Sequence, residues 1–187
     1  MIKHSYTFVL LLILSSCIPF QVAPTIKDYK LTKGKRFKKG LPEKTTFVFE
    51  DPKEHGEFYK FINTKYGLND YYVDVEVPFE IEGETFYFSF YEVVKKSKAL
   101  FLLPLATDVA IHAATNADEF EPSVANEDNS ILEGDYFYIV MEVYSDEEKD
   151  CLHKGSSNSQ KVLTYLQDLK TEYLATHNYN EIVFKND

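Results

Sequence analysis

Side chains capable of chemistry are few in this sequence, and they are scattered. His55, His112, His153 and His177 show no metal-ligand spacing among themselves, and the chain contains no phosphate-binding glycine loop, no His-Glu-x-x-His and no Cys-x-x-Cys. Asp108 and His112 stand four residues apart, which on a helix would set a carboxylate beside an imidazole. A general base needs that arrangement, but an ordinary helix-stabilising pair needs it equally, and no nucleophile stands near. Glu119, Glu121, Glu127, Asp128 and Glu133 gather in one segment and Asp146, Glu147, Glu148 and Asp150 in another. Calcium favours such oxygen donors, yet neither segment has the alternating ligands, central glycine and final glutamate of an EF-hand loop, so solvated carboxylates are the expectation. Cys151 has only His153 for company and reads as a buried, inert thiol rather than a nucleophile. Ser156 and Ser157 precede a helical pattern and read as caps. No catalytic, cofactor-binding or metal-ligating residue is assigned, no cofactor is expected, and the expectation is a non-enzyme.

Cys17 is different, because its position carries the signal. Lys3 supplies a positive start, Phe8 to Leu14 are uninterruptedly apolar, and Ser15 and Ser16 lead to Cys17. Charge, apolar run and small residues form the layout of a secretory leader. The run is well short of the roughly 20 apolar residues a membrane-crossing helix requires. Leu14-Ser15-Ser16-Cys17 resembles the lipobox of bacterial lipoproteins. That resemblance implies a lipid on the Cys17 thiol, a leader of residues 1–16 removed before it, and a palmitate-type acyl chain on the new amine. An unlipidated secreted product and a retained helix are the alternatives. More broadly, the chain resembles the small uncharacterised lipoproteins of Bacteroidetes, particularly of flavobacteria. Cys17-Ile18-Pro19, the basic run Lys33-Gly34-Lys35-Arg36-Phe37-Lys38-Lys39 and the segment Phe47-Val48-Phe49-Glu50-Asp51-Pro52 carry that likeness. In such bacteria, surface-exported lipoproteins tend to have acidic residues just after the cysteine. Here Ile18, Pro19, Phe20 and Gln21 follow it, which implies the periplasm-facing side of the outer membrane.

Charge divides the chain. Lys27 to Lys44 hold eight basic and two acidic residues, a net of +6, whereas Thr45 to Asp187 carry a net of −17. Punctuated by Pro19, Pro24, Gly34, Gly40 and Pro42, residues 17–44 read as a lipidated cysteine followed by a basic tether. That arm could lie on anionic lipid headgroups, fold back on the acidic domain, or serve as a spacer. An exported acidic domain is not expected to bind nucleic acid. Residues 45–187 are enough for one cooperative core. With Cys17 acylated no internal disulfide can form, so the core must hold by packing alone. Its 15 Phe and 14 Tyr weigh against disorder.

The elements follow from periodicity. Thr45 to Glu50 read as a strand with Phe47 and Phe49 on one side. Asp51, Pro52 and Glu54 have the spacing of a capping box before a helix whose Phe58, Phe61 and Ile62 share a face, and Gly67 ends it. Val73, Val75 and Val77 alternate with acids as a strand would, and Phe79 and Ile81 continue to a turn at Glu82-Gly83. Phe86, Phe88 and Phe90 then alternate with Tyr87, Ser89 and Tyr91. Leu100 to Leu103 read as a short strand, Asp135 to Tyr144 as another, and Glu181 to Phe184 as a closing one. Ser157 and Gln160 have capping-box spacing before Val162, Leu166, Leu169 and Tyr173, which lie on one helical face. The fold expected is α+β, a mostly antiparallel sheet with helices packed on one face.

Together these features point to a membrane-anchored envelope lipoprotein that acts as a protein- or ligand-binding module. The other classes left open are an envelope enzyme such as a hydrolase, with a site assembled from distant residues, and a structural or immunity-type lipoprotein. Tyr87 and Tyr91 are the candidate contact surface, unless a helix covers that face of the sheet.

Overall fold

A computed structural model describes residues 17–101 and 131–177. Among these, residues 25–94 with 137–177 form one compact unit, and residues 17–24 with 95–101 and 131–136 form another.

The larger unit is α+β. Its strands are β2 (Lys30–Lys33), β3 (Thr45–Asp51), β4 (Val77–Ile81) and the nearer parts of β5 (Glu84–Phe101) and β6 (Ile131–Tyr144). They lie in the order β4-β5-β6-β3-β2. Antiparallel registers pair Phe47 with Met141, Phe49 with Ile139, and Val77 with Phe88. The period-2 pattern sends Phe47, Phe49, Phe86, Phe88, Phe90, Ile139, Met141 and Val143 to one face, where all are at most 3% exposed. Helices α2 (Glu57–Tyr66) and α3 (Ser159–Ala175) cover that face with Phe58, Phe61, Ile62 and with Val162, Leu166, Leu169, Tyr173. Each fully buried side chain of this size contributes about 1.5–3 kcal/mol, so the sheet–helix seam is the main source of stability. Phe58 sits at its centre, edge-on to both Phe90 and Tyr173 at 4.9 Å.

Local signals held where a residue acts on its own neighbours. Gly67 terminates α2 at φ 61°, and Leu68 N–H reaches back to Asn63 O at 3.1 Å. Glu82 and Gly83 take φ 53° and 82° between Ile81 and Glu84, which face each other across a two-residue hairpin turn.

Both expected capping boxes are absent. Asp51 ends β3, and its carboxylate accepts Tyr173 Oη–H at 3.0 and 2.8 Å and Lys53 N–H at 3.0 Å, while Gly56 stands at the start of α2. At α3 the preceding residue is Asn158, with no side-chain cap. Ser156 Oγ donates to Glu148 Oε2 at 2.6 Å and accepts Asn158 N–H at 3.1 Å. Residues 73–76 are not a strand. Val73 is buried but Val75 is 42% exposed, and pairing begins only at Val77.

The basic segment is also not a loose arm. Lys30–Lys33 pair with Thr45–Val48 as β2, and Gly34–Phe37 form a single turn, α1. Thr46 Oγ1 donates to Thr32 O at 2.8 Å, Gly34 N–H to Lys44 O at 3.1 Å, and Asp150 accepts from Thr45 N–H at 2.8 Å. Phe37 packs edge-on to Tyr138 on the face opposite α2 and α3. The folded boundary therefore lies well before Thr45.

In the smaller unit, β1 (Cys17–Gln21) pairs antiparallel with the far end of β5, Cys17 opposite Phe101 and Pro19 opposite Ala99. The register shifts between Pro19 and Gln21, an irregularity that suits a proline with no N–H to give the ladder. Ala23 N–H donates to Ser97 Oγ at 2.8 Å. The strand expected at 100–103 is thus the end of the long β5 as far as Phe101. The closing strand expected at 181–184 lies outside the described residues.

Candidate functional site

Alternation along β5 and β6 puts a second set of side chains on the sheet face that α2 and α3 leave uncovered. Tyr87, Ser89 and Tyr91 come from β5, and Glu142 and Tyr144 from β6. Tyr91 Oη donates to Glu142 Oε1 at 3.0 Å. Lys44 Nζ lies 3.0 Å from Glu142 Oε2, close enough for an ion pair though not aligned as a hydrogen bond. The same ammonium stands 4.8 Å from the centre of the Tyr144 ring, a cation–π contact of about 0.5–2 kcal/mol. Tyr87 stacks on Tyr144 at 5.5 Å. Glu76 N–H donates to Ser89 Oγ at 3.1 Å.

All of these residues but Tyr87, together with Val75, Ser145, Asp146 and Lys149, line a groove of about 570 Å³. Its tyrosines are partners for hydrogen bonds rather than nucleophiles. Burial, then the Glu142 carboxylate, pushes the Tyr91 phenol up to about 12. Burial, then the neighbouring Glu76 carboxylate, raises Tyr144 as well. Both phenols hold their protons at neutral pH. What the groove offers is apolar ring area, hydroxyls and paired charges, the mixture that suits recognition.

The loop that brings Val75 and Glu76 to this groove was not legible in the sequence. Asn69, Asp70, Tyr72 and Glu76 all have φ between 50° and 60°. Asparagine and aspartate tolerate that region, but a tyrosine there is an outlier that the surrounding structure must impose. Asn63 helps to impose it, accepting Asp70 N–H at 2.9 Å and donating to Asp70 Oδ1 at 2.7 Å. Tyr71 and Tyr72, 71% and 63% exposed, meet edge to face at 4.4 Å. The sequence signal would have been Asn69-Asp70, a pair prone to left-handed backbone, before Tyr71-Tyr72.

The other candidates resolve individually. His55 Nε2 lies 3.2 Å from Glu92 Oε2, which also accepts Gly56 N–H at 2.9 Å, a pairing that sequence spacing had not suggested. The adjoining cavity of about 360 Å³ is lined by His55, Gly56, Tyr59, Asp74, Phe90, Tyr91 and Glu92, with no serine, threonine or cysteine among them. His153 Nδ1 accepts Gly155 N–H at 3.1 Å. Cys151 is fully buried, its thiol pushed up to about 11, chiefly by burial. Glu148 accepts from Ser156 and Asn158, and Asp150 from Thr45, so these acids staple loops. No group of three or more histidine, cysteine or acidic side chains that could hold a metal occurs among the described residues. Asp108, His112, Glu119, Glu121, Glu127 and Asp128 lie outside them. Among the described residues no helix is long and apolar enough to cross a membrane.

No family model, curated protein or solved structure matches the chain.

Proposed function

We propose that the chain is an envelope lipoprotein, held by lipid on Cys17 at the periplasm-facing side of the outer membrane, and that it works as a non-enzymatic binding module. Its contact surface is the tyrosine face of the sheet, Tyr87 and Tyr91 with Tyr144, bordered by the loop carrying Tyr71 and Tyr72. The observation that carries this reading is that loop. Tyr72 keeps a left-handed backbone, which costs on the order of 1–3 kcal/mol, in a loop that holds an aromatic pair in solvent and then carries Val75 and Glu76 into a tyrosine-lined groove. Exposed rigid rings are poor value for stability and good value for binding, since tyrosine presents large contact area with few rotors to freeze. The partner is an envelope protein or ligand with an apolar patch and hydrogen-bonding groups.

Two measurements test the reading. In a lipoprotein-processing host, the intact chain takes up a labelled fatty acid and Cys17→Ser does not; equal labelling of the two rejects the tether. Affinity capture from detergent-solubilised envelope yields a partner that the Tyr71→Ala/Tyr72→Ala and Tyr87→Ala/Tyr91→Ala variants lose while their melting transitions remain cooperative. Retention of the same partner by both folded variants rejects the surface.

A further inference from the structure

The folded basic segment presents a concentration of cations that the rest of the molecule does not neutralise. Lys27, Lys30, Lys35, Arg36, Lys38 and Lys39 are all exposed along β2, α1 and the flanking turns. Lys35 meets Glu43 at 3.6 Å with both side chains largely in solvent, and among the described residues the other five have no ion-pair partner. Elsewhere in the same unit Lys60 meets Glu57, Lys65 meets Glu172, Lys161 meets Glu84 and Lys170 meets Asp28, and the lysines without an ion pair there among the described residues, Lys149 and Lys154, are not clustered with other unmatched cations in sequence. In a chain with 30 acidic residues, five unmatched cations within thirteen positions need an account.

Two ordinary explanations fall short. Lysines on an edge strand prevent sheets from pairing edge to edge, which covers Lys30 on β2. It does not cover Arg36, Lys38 and Lys39, which lie beyond the strand. Solubility is no better served, because the chain already stands at −10 and each added cation lowers that magnitude.

We infer that this edge docks on the anionic headgroups of a lipid bilayer. Lysine dominates the segment, and lysine acts as a point charge rather than a bidentate fork, which suits a diffuse charged surface better than a built phosphate pocket. The membrane itself comes from the tethered reading above. Lys27 stands only ten positions after Cys17, at most about 35 Å of extended chain, so a lipidated Cys17 keeps the basic edge within reach of the bilayer. The charge of −17 beyond Lys44 does not forbid the contact. At 0.1 M salt the Debye length is about 10 Å, so carboxylates farther than that from the surface are screened while the edge is not.

The test leaves lipidation out, so that its failure and the failure of the tether are separable. The full chain carrying Cys17→Ser is sedimented with vesicles of phosphatidylcholine alone or mixed with phosphatidylglycerol. Binding is expected only to the anionic vesicles, and high salt should remove it. Each basic residue near such a surface is worth about fivefold in partition, so Lys30→Gln/Arg36→Gln/Lys39→Gln should weaken binding about a hundredfold. Lys60→Gln/Lys65→Gln/Lys161→Gln, with the same net charge, should bind as the parent does. Thermal melts establish that each triple variant folds, and Lys27→Gln/Lys38→Gln supplies a second edge variant should the first not fold. Equal losses in the two triples, or equal binding to both kinds of vesicle, would overturn the inference. So would displacement by inorganic phosphate too dilute to alter ionic strength, which would mark a discrete phosphate site.

Discussion

Replacing Phe88 and Tyr87 in turn separates the two faces of β5. Phe88 is fully buried, with Phe79 and Tyr66 rings 5.8 and 5.6 Å away. Cutting it to alanine removes a ring from the centre of the sheet–helix seam, and the loss of burial plus the cavity costs about 3–5 kcal/mol. Tyr87 is half-buried and stacks on Tyr144. Its loss forfeits one aromatic pair, about 0.5–1.5 kcal/mol, and a share of apolar area. For a domain of this size 1 kcal/mol moves the melting temperature by roughly 2–4 °C. Phe88→Ala should therefore lower the transition by about 6–20 °C, and Tyr87→Ala by no more than a few degrees. Thermal denaturation followed by circular dichroism reads both. Equal losses would mean that the tyrosine face is as much core as the phenylalanine face, and the contact surface would be refuted.

Other outcomes follow from single geometries. At Gly34 an added Cβ would sit 2.6 Å from Pro42 O and 3.2 Å from Thr46 Cγ2, so Gly34→Ala should destabilise by about 1–3 kcal/mol; an unchanged urea midpoint would show that the turn yields freely. Cys151 has its thiol raised from 9.0 to about 11. That alone lowers the thiolate population about a hundredfold, so in the Cys17→Ser chain a disulfide reagent should react at least that much faster in denaturant than in buffer. Comparable rates would contradict the burial. Asp51 titrates above its ordinary 3.8, burial being the largest cause, opposed by the Lys53 N–H and the Tyr173 hydroxyl. Between 3.8 and that raised value the folded chain keeps a proton the unfolded chain has released, so stability falls as pH rises through the window and is level above it. The melting temperature of the parent minus that of Asp51→Asn should fall across that window, and a constant or rising difference would contradict the assignment.

What the sequence disclosed divides by the reach of each interaction. Phe86, Phe88 and Phe90, or Val162, Leu166, Leu169 and Tyr173, announce their face by their own spacing, because one buried side of a strand or helix imposes the period. Gly67 and Glu82-Gly83 announce themselves through backbone preference. Asp51 could not, since it satisfies a partner 122 positions along the chain, Tyr173, and Ser156 turns back to Glu148 in the preceding loop. The basic segment misled for a related reason. Gly34 looks like linker punctuation, yet it is there because the chain passes within contact of Pro42 and Thr46. Val73 and Val75 alternate as a strand would, but the left-handed residues around them turn the segment into a loop. The candidate surface was half legible: Tyr87 and Tyr91 from alternation, but not Tyr71, Tyr72, Tyr144 or Lys44, which reach the same unit only through the turn at Asn69-Asp70 and the strand pairings.

The binding-module reading is tested most directly in living cells, by placing a photoactivatable phenylalanine analogue at position 87 or 91 of the otherwise native chain. Position 171, on the solvent side of α3 where Thr171 is exposed, serves as the control. Irradiation should give a discrete adduct with one envelope component from 87 or 91 and none from 171. Adducts from 171 alone, or none from any position in cells where the chain is abundant and folded, would contradict a contact surface on the tyrosine face.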